Sequence, residues 1–146
     1  HTLPENLRQL STRHIDLDAK GRIWFACQYE GPRNDLPPLV GHFGKGEDLT
    51  FLSLPEDTTI GLANYVGAIA VNRRENHVGL TSPNGGRFVV LDADSGRVLS
   101  EEAVPDAAGI AAAEHGFAVS SYSGRFAGRH EELTFDQHIT SLTPHR

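Results

Sequence analysis

Gly67-Ala68-Ile69-Ala70-Val71-Asn72-Arg73-Arg74-Glu75-Asn76-His77-Val78-Gly79-Leu80 is the stretch whose reading decides the fold. A short apolar strand runs into a tight polar turn at 72–76, and a second apolar strand returns. The same pattern stands on either side. Upstream, Arg13-His14-Ile15-Asp16-Leu17 turns through Asp18-Ala19-Lys20-Gly21 into Ile23-Trp24-Phe25-Ala26-Cys27. Downstream, Gly109-Ile110-Ala111-Ala112 turns through Glu114-His115-Gly116 into Phe117-Ala118-Val119-Ser120. With Ile15, Ile69 and Ile110 equivalent, successive units start 54 and 41 residues apart. A period of roughly 40–50 residues with about four strands per unit is the mark of β-propeller blades. The expected fold is all-β, a β-propeller fragment of about three four-stranded antiparallel blades, over residues 11–57, 64–104 and 109–146.

Further strands complete the units. Leu39–Phe43 and Leu49–Leu54 flank the turn Gly44-Lys45-Gly46-Glu47-Asp48. Arg87–Asp92 and Arg97–Glu102 flank Asp92-Ala93-Asp94-Ser95-Gly96, where glycine is free to take positive φ. The insert Gly31–Pro38 ends in two prolines, which cannot join a ladder, and accounts for the longer first step. In the third unit Leu133–Phe135 and His138–Thr140 are the expected outer strands. Residues 1–10 read as an irregular tail, and Gly61–Gly67 as non-helical because of its glycines.

Three blades cannot close a ring, because each apolar sheet face needs a neighbour. The chain is therefore expected to be part of a longer propeller, a reading favoured by the absence of any methionine. The competing expectation is self-association through open blade faces.

Composition fits this class. The 146 residues are 38% hydrophobic, with 15 Gly and 8 Pro, a density of punctuation that suits short strands. Thirteen Lys and Arg against 19 Asp and Glu give a formal net charge of −6. With no basic stripe to offset that balance, nucleic acid is not an expected partner. The single cysteine, Cys27, rules out an intrachain disulfide and reads as a small buried hydrophobe. No apolar run is long enough to span a membrane, and no signal peptide is present.

Blade geometry assigns loops to two rims. The hairpins at 18–21, 44–48, 72–76 and 92–96 share one rim and read as structural turns. The less regular loops share the other. Arg13, His14, Asn64, Tyr65 and Asp106 stand where first strands begin, with Gln28, Ser82 and Ser121 in the adjoining loops. A convergent polar set at a channel mouth is the expected ligand site, and Arg13 and Asp106 are placed to pair across it. The partner is expected to be a small ligand, a metal species or a protein. No cofactor is identified.

Sharper motifs fail on spacing. His14, His42, His77, His115, His130 and His138 show no metal-binding pair, so no metal ligand is assigned. Asp92-x-Asp94-x-Gly96 begins like a calcium loop, but Arg97 and Ala103 occupy the required glycine and acid positions. Gly41-His42-Phe43-Gly44-Lys45-Gly46 lacks the following helix of a phosphate loop. No Gly-x-Ser-x-Gly elbow surrounds Ser82, Ser121 or Ser123. Glu101-Glu102 and Glu131-Glu132 point to opposite strand faces and cannot form an acid/base pair. No catalytic residue is assigned.

Arg13-His14, Gln28-Tyr29-Glu30-Gly31, Pro38-Leu39-Val40-Gly41, Asn64-Tyr65-Val66-Gly67-Ala68-Ile69-Ala70, Thr81-Ser82-Pro83-Asn84-Gly85-Gly86 and Asp106-Ala107-Ala108-Gly109-Ile110, in this order and spacing, resemble the bacterial "domain of unknown function 1513" family. The likeness covers roughly residues 10–125. It implies a longer, propeller-like protein, exported by the twin-arginine route to the periplasm and encoded near imelysin-type proteins linked to iron uptake. It implies no activity. The expected function is a non-enzymatic periplasmic binding or interaction module. The alternatives are a metal-assisted lyase or hydrolase that uses His14 with residues from further blades, and a purely structural scaffold.

Overall fold

The computed structural model describes residues 1–135, 138–140 and 142. Among these residues, three antiparallel sheets of four strands each follow one another along the chain. The first contains β1 (Leu10–Leu17), β2 (Ile23–Tyr29), β3 (Val40–Phe43) and β4 (Thr50–Phe51). The second contains β5 (Ala68–Asn72), β6 (His77–Ser82), β7 (Arg87–Asp92) and β8 (Val98–Ala103). The third contains β9 (Ala107–Ala112), β10 (Phe117–Ser121), β11 (Arg125–Phe126) and β12 (Arg129–His130). β5 packs against both β1 and β9, so the first strands of the three sheets stand side by side. This is the blade arrangement expected from the repeat.

The register confirms the equivalence of the three isoleucines. Ile15 pairs with Phe25, Ile69 with Leu80 and Ile110 with Val119. Directly paired residues share a sheet face, and alternation gives each sheet two distinct faces. The core between the first two sheets joins Trp24, Ala26 and Val40 to Ile69, Val71, Val78, Leu80, Val89 and Leu91. A smaller core joins Ala68, Ala70 and Phe88 to Ile110, Phe117 and Val119. Each large side chain so buried contributes about 1.5–3 kcal/mol. Gly79 is required at this second interface, because a Cβ there would stand 2.5 Å from Ile110 Cδ1.

Four expectations are corrected. Residues 1–10 are not a loose tail: a 3-10 turn spans Glu5–Leu7, Leu3 and Leu7 pack on the core, and Leu10 is buried in β1. The fourth strand of the first sheet is Thr50–Phe51 rather than 49–54, although Leu52 N still donates to Val40 O. A short helix, α1 (Glu56–Gly61), links the first two sheets. Pro55 presets its start and two acids stand in its first turn, at the positive end of the helix. Gly61 ends it, so the non-helical reading of 62–67 holds.

The fourth correction concerns the third sheet. Its outer strands are Arg125–Phe126 and Arg129–His130, whereas 133–135 and 138–140 form no strand. Left-handed Ala127 and Gly128, with φ of 46° and 80°, fold the chain back early. The remainder of the expected third unit, residues 136–137, 141 and 143–146, lies outside the described residues.

Candidate functional site

The rim formed by the tight hairpins is occupied by structural bonds. Asp18 is buried, and its Oδ2 accepts from Trp24 Nε1 at 3.0 Å and Arg22 Nε at 2.7 Å. Its Oδ1 accepts from the backbone N–H groups of Lys20 and Arg22, each at 2.9 Å. Burial alone would raise this carboxyl's pKa. The bonds from Trp24 and Arg22, with the Arg22 charge, outweigh burial and hold it below the ordinary aspartate value. Arg22 also reaches across to Ala93 O at 2.7 Å, and Lys20 pairs with Asp94 of the second sheet.

A second clasp ties the 72–76 turn to the third sheet. Asn72 Nδ2 donates to Gly116 O at 2.9 Å and Ala113 O at 3.2 Å. Glu75 Oε2 accepts from Gly116 N at 2.8 Å, and His77 and His115 flank its carboxylate at 3.7 and 3.5 Å. The Gly116 bond is the largest influence on Glu75 and lowers its pKa against the opposing effect of burial. In the 92–96 turn, Asp92 Oδ1 accepts from Ser95 N and Ser95 Oγ, both at 2.7 Å, and Gly96 N donates to Asp92 O. This segment is a capped hairpin, as its sequence indicates.

The opposite rim holds the eight residues expected to bind a ligand. Arg13 and His14 lie inside β1 rather than at its start, beside a bulge between Thr12 and His14. Arg13 Nη2 donates to Gln28 Oε1 at 2.6 Å and to Glu30 Oε1 at 3.0 Å. It therefore pairs with Glu30 and not with Asp106. The His14 ring lies 4.9 Å from the His138 ring. Gln28 also forms an isolated antiparallel bridge with Tyr65, so Arg13, Gln28 and Tyr65 form one neighbourhood.

Three of the expected ligand residues are turned inward. Asn64 is left-handed, with φ of 58°, and only 8% exposed. Its O accepts from Tyr29 N at 2.9 Å and its Nδ2 donates to Arg33 O at 3.3 Å, which stitches the first sheet to the segment leading into the second. Ser82 is fully buried: its Oγ donates to Leu62 O at 2.8 Å and accepts from Gly85 N at 3.0 Å. Ser121 is also fully buried, bonding Ser123 Oγ and accepting from Arg125 N, both at 3.0 Å. Asp106, left-handed with φ of 56°, offers its carbonyl to Tyr122 N at 3.1 Å. It neighbours Ser121 but not the Arg13 group.

Glu30, outside the expected ligand set, joins Arg13 and Gln28 on this rim. The available signal was its place in the Gln28-Tyr29-Glu30 segment of the same rim. Tyr29 Oη donates to Asp35 Oδ2 at 2.7 Å, which raises the phenol's pKa, and anchors the proline-rich insert. Beside that insert an open groove of about 300 Å³ is lined by residues including Leu36, Pro37, Pro38, Phe51 and Leu54. None of the eight expected residues lines this groove. Among the described residues no group of three or more His, Cys, Asp and Glu is placed to hold a metal ion. No helix among them is long and apolar enough to cross a membrane.

Solved structures place this arrangement among propellers. A catalytically inactive virginiamycin B lyase from Staphylococcus aureus, solved with quinupristin, is similar at 15% identity and a TM-score of 0.61, over 88% of this chain and 39% of that one. The WD40 repeats of RRP9 match at 13% identity and 0.55, over 81% and 34%. A luciferin-regenerating enzyme matches at 14% and 0.54, over 89% and 46%. The chain thus spans less than half the length of each of these proteins, and at these identities the likeness establishes the fold alone. No curated protein matches the sequence. The family described as "Protein of unknown function (DUF1513)" matches residues 1–142, and the chain belongs to it.

Proposed function

We propose that this chain is a non-enzymatic binding module that meets its partner at the Arg13 rim. One observation carries the reading: the two rims differ in what their polar groups do. On the hairpin rim Arg22, Asn72 and Glu75 bond from one sheet to the next. On the other rim Arg13 bonds Gln28 and Glu30 of its own blade, and Arg13 and Glu30 keep 39% and 59% of their side-chain surface open. Polar, partly solvated groups beside an aromatic such as Tyr65 suit the edge of an interface. Because Ser82, Ser121 and Asn64 already hold backbone partners, the contact surface centres on Arg13, Gln28, Glu30 and Tyr65. A photo-crosslinking residue placed at position 13 should capture a partner in cells, and one at position 45 on the opposite rim should not. Capture from position 45 alone would refute the assignment.

A periplasmic location belongs to the same proposal. Its support is the family resemblance, which also adds a connection to iron uptake. Cell fractionation tests the location. Transcript levels under iron limitation test the connection, and the expected result is a rise.

A further inference from the structure

Among the described residues, His42 Nδ1 is the only buried side-chain nitrogen or oxygen without a hydrogen-bond partner. Such an atom is rare inside a folded protein. His42 pairs with Trp24 across the β2–β3 ladder, and the two rings lie 4.8 Å apart. Alternation from Val40 turns it toward the second sheet. Its neighbours there form a latch between the two sheets. Arg22 lies over the same indole, with Cζ 5.6 Å from the ring centre. Arg22 Nη2 donates to Ala93 O of the second sheet at 2.7 Å and stands 3.7 Å from Asp94, which also pairs with Lys20. Farther along the second sheet, His77 stands opposite Asp92 in the β6–β7 ladder.

Two acids near His42 are already engaged. A carboxylate offers about four acceptor positions, and those of Asp18 are taken by Trp24 Nε1, Arg22 Nε and the backbone N–H groups of Lys20 and Arg22. Glu47 is exposed, and its Oε2 accepts from Gly44 N at 3.1 Å. Burial first, and the Arg22 charge second, hold the imidazole below the ordinary histidine value, against the opposing pull of Asp18 and Glu47. A neutral ring can keep Nδ1 as a bare lone pair. An imidazolium carries hydrogen on both nitrogens, so its Nδ1–H meets no acceptor. The new charge also stands beside Arg22 on one indole. We propose that His42 is a pH-sensitive release for the Arg22 latch: its protonation drives Arg22 from Ala93 O and loosens the hairpin rim between the first two sheets. The apolar core beneath keeps the sheets together. The device needs nothing beyond these two sheets and is independent of the Arg13 rim.

The sign is definite. A histidine whose folded pKa is lowered lends stability that is whole above its unfolded value, about 6.5, and is lost as pH falls through the folded value. An NMR titration of the chain tests the release. The His42 ring signals should titrate with a midpoint below about 6.5. The Arg22 Nε–H and Ala93 carbonyl signals should shift with that same midpoint. His42→Gln should abolish both shifts, and His77→Gln should leave them in place. A His42 midpoint at or above the ordinary value overturns the proposal. So do Arg22 and Ala93 signals that stay still while His42 titrates, and shifts that persist in His42→Gln. If His42→Gln does not fold, the agreement or disagreement of the wild-type midpoints decides alone.

Discussion

Asp18 shows how one side chain can fix a corner of this fold. Its carboxylate satisfies the N–H that a buried tryptophan must place somewhere, and neutralises Arg22 at the same time. Asp18→Ala leaves both donors without a partner, and urea unfolding should show a loss of about 3 kcal/mol. The pH dependence has a definite sign. A carboxyl whose folded pKa is lowered lends stability that is complete above its unfolded value, about 4, and is lost as pH falls through the folded value. Asp18→Asn should therefore flatten the acid limb of the stability curve below about pH 4. The sequence marks residues 18–21 as a turn from their composition. It does not mark the Asp18–Trp24 bond, because the five intervening residues indicate nothing about which face of the strand turns inward. Ser82 was legible as polar and near a rim, yet its hydroxyl is spent on Leu62 O and Gly85 N. Ser82→Ala should cost about 1–2 kcal/mol and leave crosslinking from position 13 unchanged.

Alternation made the inner strands readable at the scale of elements. Ile15, Ile69 and Ile110 fall in register as the repeat requires, since a slip of one residue would expose a whole apolar face. Outer strands were less legible. β4, β11 and β12 are two residues each and too short for a period of two to show. Helix α1 escaped because six residues hold fewer than two turns, and its Thr-Thr-Ile-Gly run has low helix propensity. Tertiary contact fixes it instead: Thr58 is buried and donates to Glu101 of β8. The contact between β6 and β9 gives an equally definite prediction. Gly79→Val should drive a side chain into Ile110 and Phe117, with a loss of about 1–3 kcal/mol or more in thermal unfolding.

At the largest scale, the described residues form three sheets held along one rim by polar bonds and along their faces by apolar contact. The clasp at Glu75 couples the second and third sheets through Gly116 N. Glu75→Gln should speed hydrogen exchange at the Gly116 amide, while amides at the Asp18 corner exchange as before. The repeat period was enough to count the sheets and sort loops between rims. It could not separate the rims by use, because that depends on whether a polar group meets a backbone partner or water. Cys27 offers a last consequence. Its thiol is fully buried beside Thr12, and burial pushes its pKa up. It is the sole cysteine, and it faces Thr12 across the β1–β2 ladder. Alkylation should therefore stall until those two strands part, making the unaltered chain its own stopwatch for the opening of its leading sheet.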